Sequence, residues 1–257
     1  MTLIIQSKDN PKLKQLRGLI EQSSLRKKQQ QTVLEGSHLL ESYLVNHQPV
    51  ALFTTEEGFE HIENQNAIEL STCPLYLISD QMYKSLSPLG QTIPLLAIID
   101  IPQHQHAIDP TIDTLLLDQV QDPGNVGTLL RSAAAVGIKQ IIATKGTASL
   151  WSPRVLRAAM GAHFSLQVFE NQNVIELLSQ FKIPVLATSS HQPQSIYTLD
   201  LTQPCVWVLG NEGQGVHEDI LQQAQAVTIP QPGGQESLNV AIAGSVCMFE
   251  MMRQRLA

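Results

Sequence analysis

The chain predicts an α/β protein in two parts, a carboxyl-terminal domain built on a mostly parallel sheet covered on both faces and a smaller α/β domain before it. Three observations carry that reading. From Thr114 onward, apolar stretches of four to six residues alternate with helix-compatible segments, as buried parallel strands joined by crossover helices do. Three of these strands run into loops rich in glycine and polar residues, the kind that line the crevice at the carboxyl ends of strands in an open α/β sheet. Before residue 101 the apolar runs are shorter, and PQHQHAIDPTID reads as a connector. The expected boundaries are 1–101, a linker at 102–113, and 114–257.

Taken in order, Asn10 followed by Pro11 sets an N-cap and a first helical position, giving a helix to about Glu21. A basic patch follows, then a strand at TVLEG, a helix from about Ser37, and apolar runs VALFTT, LYLIS and PLLAIIDI between helical segments. The second domain reads LLLD, helix, QIIAT, a helix after Ser152 and Pro153, PVLATS, CVWVLG, helix, AVTIP and a last helix.

Composition bounds the function. The 257 residues, 43% hydrophobic and 15% charged, suit a soluble globular chain. The opening MTLIIQSKDN lacks the basic and apolar regions of a leader, and no window approaches the roughly 18 apolar residues of a membrane span, so a cytoplasmic protein without a membrane partner is expected. Cys73, Cys205 and Cys247 are odd in number and set apart in apolar surroundings, which predicts reduced, buried fillers. His104 and His106 have a metal-like spacing but no third ligand nearby, so no metal site is expected. A net charge of −7 argues at face value against holding a phosphate backbone. Residues 1–30, however, carry Lys8, Lys12, Lys14, Arg17, Arg26, Lys27 and Lys28 against Asp9 and Glu21, a local balance of +5 that leaves −12 elsewhere. RNA affinity would concentrate at this end; a solvated basic helix face is the plainer alternative.

The first loop is LLLDQVQDPGNVGTLLRSAAAVG, where Asp122-Pro123-Gly124 turn the chain, Asn125 can cap the next helix and Gly137 can end it. Val126, Leu129, Leu130, Ala133 and Val136 form one apolar stripe, which leaves Arg131 on another face with no packing reason to be there. The second, CVWVLGNEGQGV, sets Gly210, Gly213 and Gly215 around Glu212, a loop that lets a ligand lie against backbone. Its spacing is not GxGxxG, and its carboxylate would repel a pyrophosphate, so a dinucleotide-dependent oxidoreductase fits less well than an adenosine carrying a cationic sulfonium. In the third, IPQPGGQESLNVAIAG, Ser237 is placed to cap a helix that begins Leu238-Asn239-Val240, while Asn239 is a polar amide in need of a partner.

In order and spacing, DPGNVGTLLRSAAAVG, VLGNEGQGV and IPQPGGQESLNVAIAG resemble the three signature motifs of the SpoU/TrmH family of RNA 2′-O-ribose methyltransferases, over roughly residues 112–257. SPRVLRAAMGAHFSLQV is similar to the stretch between the first two. NPKLKQLRGL and VLEGSHLLESYL are similar, more loosely, to the ribosomal-protein-like substrate-binding domain that many members carry. The resemblance implies a deep trefoil knot of the SPOUT type, a homodimer built on it, and S-adenosylmethionine held in the knot loops. It implies cofactor contacts at Thr188, Leu209, Gly210, Gly215, Ile229, Pro230 and Leu238, an essential arginine at Arg131, and a polar set of Asn125, Glu212, Ser237 and Asn239. Arg131 would fix the adjacent phosphate and stabilise charge developing on the ribose oxygen, with proton acceptance open between Arg131, a phosphate oxygen and water. Lys12, Lys14, Arg17, Arg26, Lys27, Lys28, Arg154 and Arg157 would grip a structured RNA, ribosomal rather than transfer RNA given the extra domain. A noncatalytic RNA-binding protein of the same fold is the alternative, and the intact polar set speaks against it.

Overall fold

The computed structural model describes residues 2–87, 90, 93–103, 107–190, 194–234 and 237–256; His104 and His106 lie outside them. The chain divides into two compact units, Met1–Gln103 with Trp151–Phe164, and His104–Leu150 with Ser165–Ala257.

The first unit runs β1 (Thr2–Ile4), α1 (Pro11–Glu21), α2 (Ser23–Gln29), β2 (Gln31–Glu35), α3 (Ser37–Leu44), β3 (Ala51–Thr54), α4 (Glu56–Glu60), α5 (Ile62–Glu69), β4 (Leu75–Leu77), α6 (Asp80–Leu86) and β5 (Leu96–Asp100). Its sheet has the order β1-β4-β3-β5-β2, parallel across the first three strands and antiparallel across the rest. Asn10 caps α1 as its residue type predicts, accepting from Lys12 N at 2.8 Å with Pro11 following. Leu13, Leu16 and Leu19 from α1 meet Val33, Phe53, Leu96 and Ile98 from the sheet in one apolar core. Burial of these side chains contributes roughly 1.5–3 kcal/mol each.

The second unit begins with β6 (Thr114–Leu117), α7 (Pro123–Ala135) and β7 (Gln140–Thr144). Helix α8 (Pro153–Ala159) follows in the chain but packs with the first unit, where Thr32 Oγ1 donates to Trp151 O at 2.6 Å and Phe164 meets the Tyr43 ring edge-on. Then come β8 (Gln167–Gln172), α9 (Val174–Leu178), β9 (Val185–Thr188), β10 (Val206–Leu209), α10 (Glu218–Leu221), β11 (Gln225–Val227) and α11 (Val240–Leu256). The sheet order is β11-β9-β10-β6-β7-β8 and every pairing is parallel. Strands β6 and β10 are buried along their whole length, consistent with helices on both faces.

Two caps differ from the sequence expectation. Asp122, not Asn125, caps α7: its carboxylate accepts from Asn125 N at 2.8 Å, because Pro123 at the first position leaves the third residue's amide as the one to satisfy. Asn239, not Ser237, caps α11, accepting from Ala241 N at 2.9 Å and Ile242 N at 3.3 Å, so the helix starts one residue beyond it. At the other end of α11, Arg255 meets Asp113 through two hydrogen bonds of 2.6 and 3.0 Å. Cys205 and Cys247 are buried, and burial pushes both thiols up to about 12, while Cys73 is only half-buried. Among the described residues no helix is long and apolar enough to cross a membrane, and no cluster of three metal-ligating side chains occurs.

Candidate functional site

The three glycine- and polar-rich loops follow β6, β10 and β11, which the parallel sheet sends in the same direction. One chain of hydrogen bonds ties them together. Glu212, in the loop after β10, accepts from Asp122 N at 3.1 Å and Asn125 Nδ2 at 3.0 Å on one oxygen, and from Gln121 N at 3.1 Å on the other. Asn125 Oδ1 in turn accepts from Asn239 Nδ2 at 3.0 Å. The partner that Asn239 needs is therefore Asn125, and Asn239 both caps α11 and closes the network.

Burial raises the Glu212 carboxyl, but hydrogen bonds from Asn125 and from the amides of Gln121, Glu212 and Asp122 outweigh it and hold the group below the ordinary carboxylate range. A carboxylate with both oxygens engaged and its proton affinity lowered holds the loop in place; it is poorly suited to take a proton.

The loop after β10 folds back on itself. Asn211 N donates to Gly215 O and Gly215 N to Asn211 O, both at 2.9 Å, and Gly215 takes φ +74. Gly210 lies so close to this turn that a Cβ there would run into the Gly215 carbonyl group and Val216 N. Two residues that motif reading did not single out brace the site. Asp118 is buried at the end of β6 and accepts from Thr144 Oγ1 at 3.1 Å and His217 N at 2.9 Å. Asn211 donates to Gln119 O at 2.9 Å and accepts from Gly213 N and Gln214 N. The signal for Asp118 was in the sequence, since a carboxylate closing the apolar run LLLD needs buried donors.

The remaining sequence-predicted residues fall around this network. Thr188 ends β9 and donates to Val208 O at 3.3 Å. Leu209 is buried at the end of β10, Ile229 is half-buried, Pro230 is exposed, and Leu238 keeps 37% of its surface exposed. Ser237 and Arg131 are exposed, and their side chains have no hydrogen bond or ion pair among the described residues. Arg131 does not touch Glu212; the carboxylate fixes the loop, not the arginine. In the other unit, Lys14, Arg17, Lys27, Lys28 and Arg154 are exposed, while Lys12 and Arg157 are half-buried. Arg26 is a correction. It is 6% exposed, and its Nη1 donates to Leu19 O and Ile20 O at 2.8 and 3.1 Å. Carbonyls in the last turn of α1 lack helical partners, and Arg26 satisfies them instead of facing a phosphate.

The loops suit S-adenosylmethionine. Residues 209–217 and 228–239 contain no lysine or arginine, so a cationic sulfonium meets no like charge there. Gln231 Oε1, in the third loop, is buried without a partner among the described residues, an acceptor the chain itself leaves unsatisfied. The close approach of Gly210 to Gly215 leaves backbone, not side chain, at the floor of the loop.

The chain matches two family models, the SpoU rRNA Methylase family over residues 114–249 and the MRM3-like substrate binding domain over residues 10–97. It is 34% identical to an uncharacterized tRNA/rRNA methyltransferase of Synechocystis sp., over 98% of this chain and 94% of that one. Identity to the 23S rRNA (guanosine(2553)-2′-O)-methyltransferase RlmP of Bacillus subtilis is 27%, over 96% and 98% of the two chains. A solved structure from Porphyromonas gingivalis, assigned to the TrmH family of RNA methyltransferases, superposes with a TM-score of 0.82 at 31% identity, covering 97% of this chain and 99% of that one. Motif order, the three joined loops and these matches agree: the chain belongs to the SpoU rRNA methylase family.

Proposed function

We propose that the protein transfers a methyl group from S-adenosylmethionine to a ribose 2′-hydroxyl of ribosomal RNA. The observation that carries the reading is the Glu212–Asn125–Asn239 chain, which joins the three loops of an SpoU domain into one polar site. The bound cofactor supplies an electrophilic methyl on a sulfonium, a good leaving group. The protein's own task is then to align the ribose oxygen and help it lose its proton.

Arg131, exposed and unpaired among the described residues, is the cation that fixes the neighbouring phosphate and stabilises charge growing on the ribose oxygen. Asn125 and Asn239, joined by their hydrogen bond, orient the nucleotide, and Ser237 offers an exposed hydroxyl two residues before Asn239. Glu212 holds the first and second loops together. The backbone at Leu209, Gly210, Gly215, Ile229, Pro230 and Leu238, with Thr188, forms the cofactor cradle. The first unit presents the RNA through Lys12, Lys14, Arg17, Lys27, Lys28, Arg154 and Arg157, in the manner of a ribosomal-protein-like domain.

The connectivity supports a trefoil knot. Strand β10 inserts between β6 and β9, and the chain then leaves by the edge strand β11 before α11 packs back against α7 and β10. Homodimerisation has support in α11, whose Ile242 and Phe249 remain 56% and 44% exposed.

The test is methyl transfer from radiolabelled S-adenosylmethionine to ribosomal and transfer RNA lacking native modifications, followed by mapping of the labelled ribose. Label on one ribosomal ribose, reduced about 10²–10³-fold in Arg131→Ala with cofactor binding intact, is the expected result. Cofactor binding without transfer to any RNA or ribosomal assembly intermediate would overturn it.

A further inference from the structure

Between Lys182 and Arg253 the chain holds no lysine or arginine, while Asp200, Glu212, Glu218, Asp219, Glu236 and Glu250 give the stretch six negative charges. It contains β9, β10, β11 and the second and third loops of the site. A nucleic acid brought to these loops meets no cation from this stretch to neutralise its phosphates, so a contact made here has to be of another kind. Stacking of bases on aromatic rings needs no charge. The stretch has three aromatic side chains, Tyr197, Trp207 and Phe249. Trp207 is 0% exposed, and Phe249 lies nine residues into α11, about 14 Å from its loop end at 1.5 Å per residue. Tyr197 is 55% exposed.

Tyr197 is the middle residue of a tight turn, Ile196–Thr198, that follows β9. The turn is tied at both ends. Before it, Ser195 bridges Thr228, Ile196 N donates to Thr228 O at 2.9 Å, and Thr228 N donates to Gln194 O at 2.8 Å. The turn therefore lies beside the residue that leads into Ile229 and the third loop. After it, Gln254 of α11 donates to Leu199 O at 3.1 Å and accepts from Leu201 N at 2.9 Å. Ile196 anchors the turn in the interior, and Ser195 Oγ accepts from Tyr197 N at 3.2 Å. The ring is thus held out from a fixed backbone, and its hydroxyl has no partner among the described residues. A tyrosine so placed adds little to the core, but it offers a flat face with only two torsions to order on binding. Its neighbours Gln194, Thr198 and Asp200 are polar, unlike the exposed apolar Ile242 and Phe249 of α11, so the surface suits a nucleotide better than a second copy of the chain.

We propose that an unpaired base of the substrate RNA stacks on the face of Tyr197 and so holds the strand beside the third loop. Unpaired bases of RNA are commonly taken up on aromatic side chains, and every base has a face to offer. The inference rests on the reading of the protein as an RNA methyltransferase and adds the residue that grips the RNA where the chain supplies no positive charge.

Binding of ribosomal RNA lacking native modifications, methyl transfer to it, cofactor affinity, thermal melting and sedimentation are measured on the full chain, as wild type and as Tyr197→Ala, Tyr197→Leu and Tyr197→Phe. Tyr197→Ala is expected to raise Kd and KM for the RNA about tenfold at unchanged kcat, the scale of one lost stack. Tyr197→Phe should restore both, because the ring face and not the hydroxyl makes the contact, whereas Tyr197→Leu, apolar but without a ring, should not. The slope of log affinity against log salt should be the same in every variant, since a stack releases no counterions. Unchanged RNA affinity in Tyr197→Ala, or a loss that phenylalanine fails to restore, would overturn the proposal. A lowered melting temperature, a changed sedimentation coefficient or weakened cofactor binding in Tyr197→Ala would overturn it too, assigning the ring to the fold, to a second copy or to the cofactor. Transfer by the wild type with RNA affinity unchanged in Tyr197→Ala removes this inference and leaves the methyltransferase reading, whereas RNA binding that depends on the ring, without transfer by the wild type, does the reverse.

Discussion

Replacing Glu212 by glutamine keeps the side chain's size but removes the charge that three donors face and turns one acceptor into a donor. Its carboxyl is held below the ordinary range in the folded protein, so the unfolded chain takes up the proton first as pH falls. The stabilisation is therefore complete above the unfolded pKa of roughly 4.3 and is lost as pH drops through the lower folded value. Thermal melts of wild type and Glu212→Gln should differ at neutral pH and converge below that range. Because the carboxylate is exposed, solvent screening keeps the difference to about 1 kcal/mol or less. The larger loss should be in cofactor affinity, since the loop it pins carries the cradle. Arg131→Lys is a sharper probe of chemistry than of charge: lysine keeps the cation but not the planar fork, so activity should fall while Kd for the cofactor stays put.

At the scale of elements, the Gly210 turn is the least tolerant feature of the site. Gly210→Ala drives a Cβ into backbone, which cannot rotate away as a side chain would, so the loop must open. A folded protein with cofactor binding weakened tenfold or more, seen by calorimetry, is the expected outcome; unchanged affinity would place the cofactor elsewhere. Elements also show what sequence pattern could and could not convey. Strands β6 and β10 were legible because every position but Thr114 is apolar, as suits central parallel strands buried on both faces. Two of the edge strands were not: β1 has three residues, and β8, QVFENQ, mixes polar with apolar because only part of it is covered. Helix α9, five residues long, gives too short a window for a period to emerge. The polar set was legible from residue type and loop context, yet its wiring was not, since Asn125 to Asn239 spans 114 positions. Arg26 was misread because its charge is visible in sequence and the helix end it satisfies is not.

For the whole molecule, a net charge of −7 coexists with a basic amino-terminal segment, and RNA binding should carry the mark of that asymmetry. Lys27→Ser with Lys28→Ser should weaken binding to ribosomal RNA evenly across sequences and lower the slope of log affinity against log salt by about 1–2. Cofactor binding should be untouched, and an unchanged slope would move the phosphate contacts off this segment. The order of strands has a further consequence, in time instead of space. Among the described residues strand β9 pairs only with β10 and β11, and β10 alone joins it to β6. As the chain is synthesised, residues 185–188 therefore have no sheet to enter until residues 206–209 have appeared, and the middle of the sheet closes late, through contacts distant in sequence. A growing chain that stalls before Val206 exposes an apolar strand with nothing to pair it, and its need for a chaperone should be greatest in that interval.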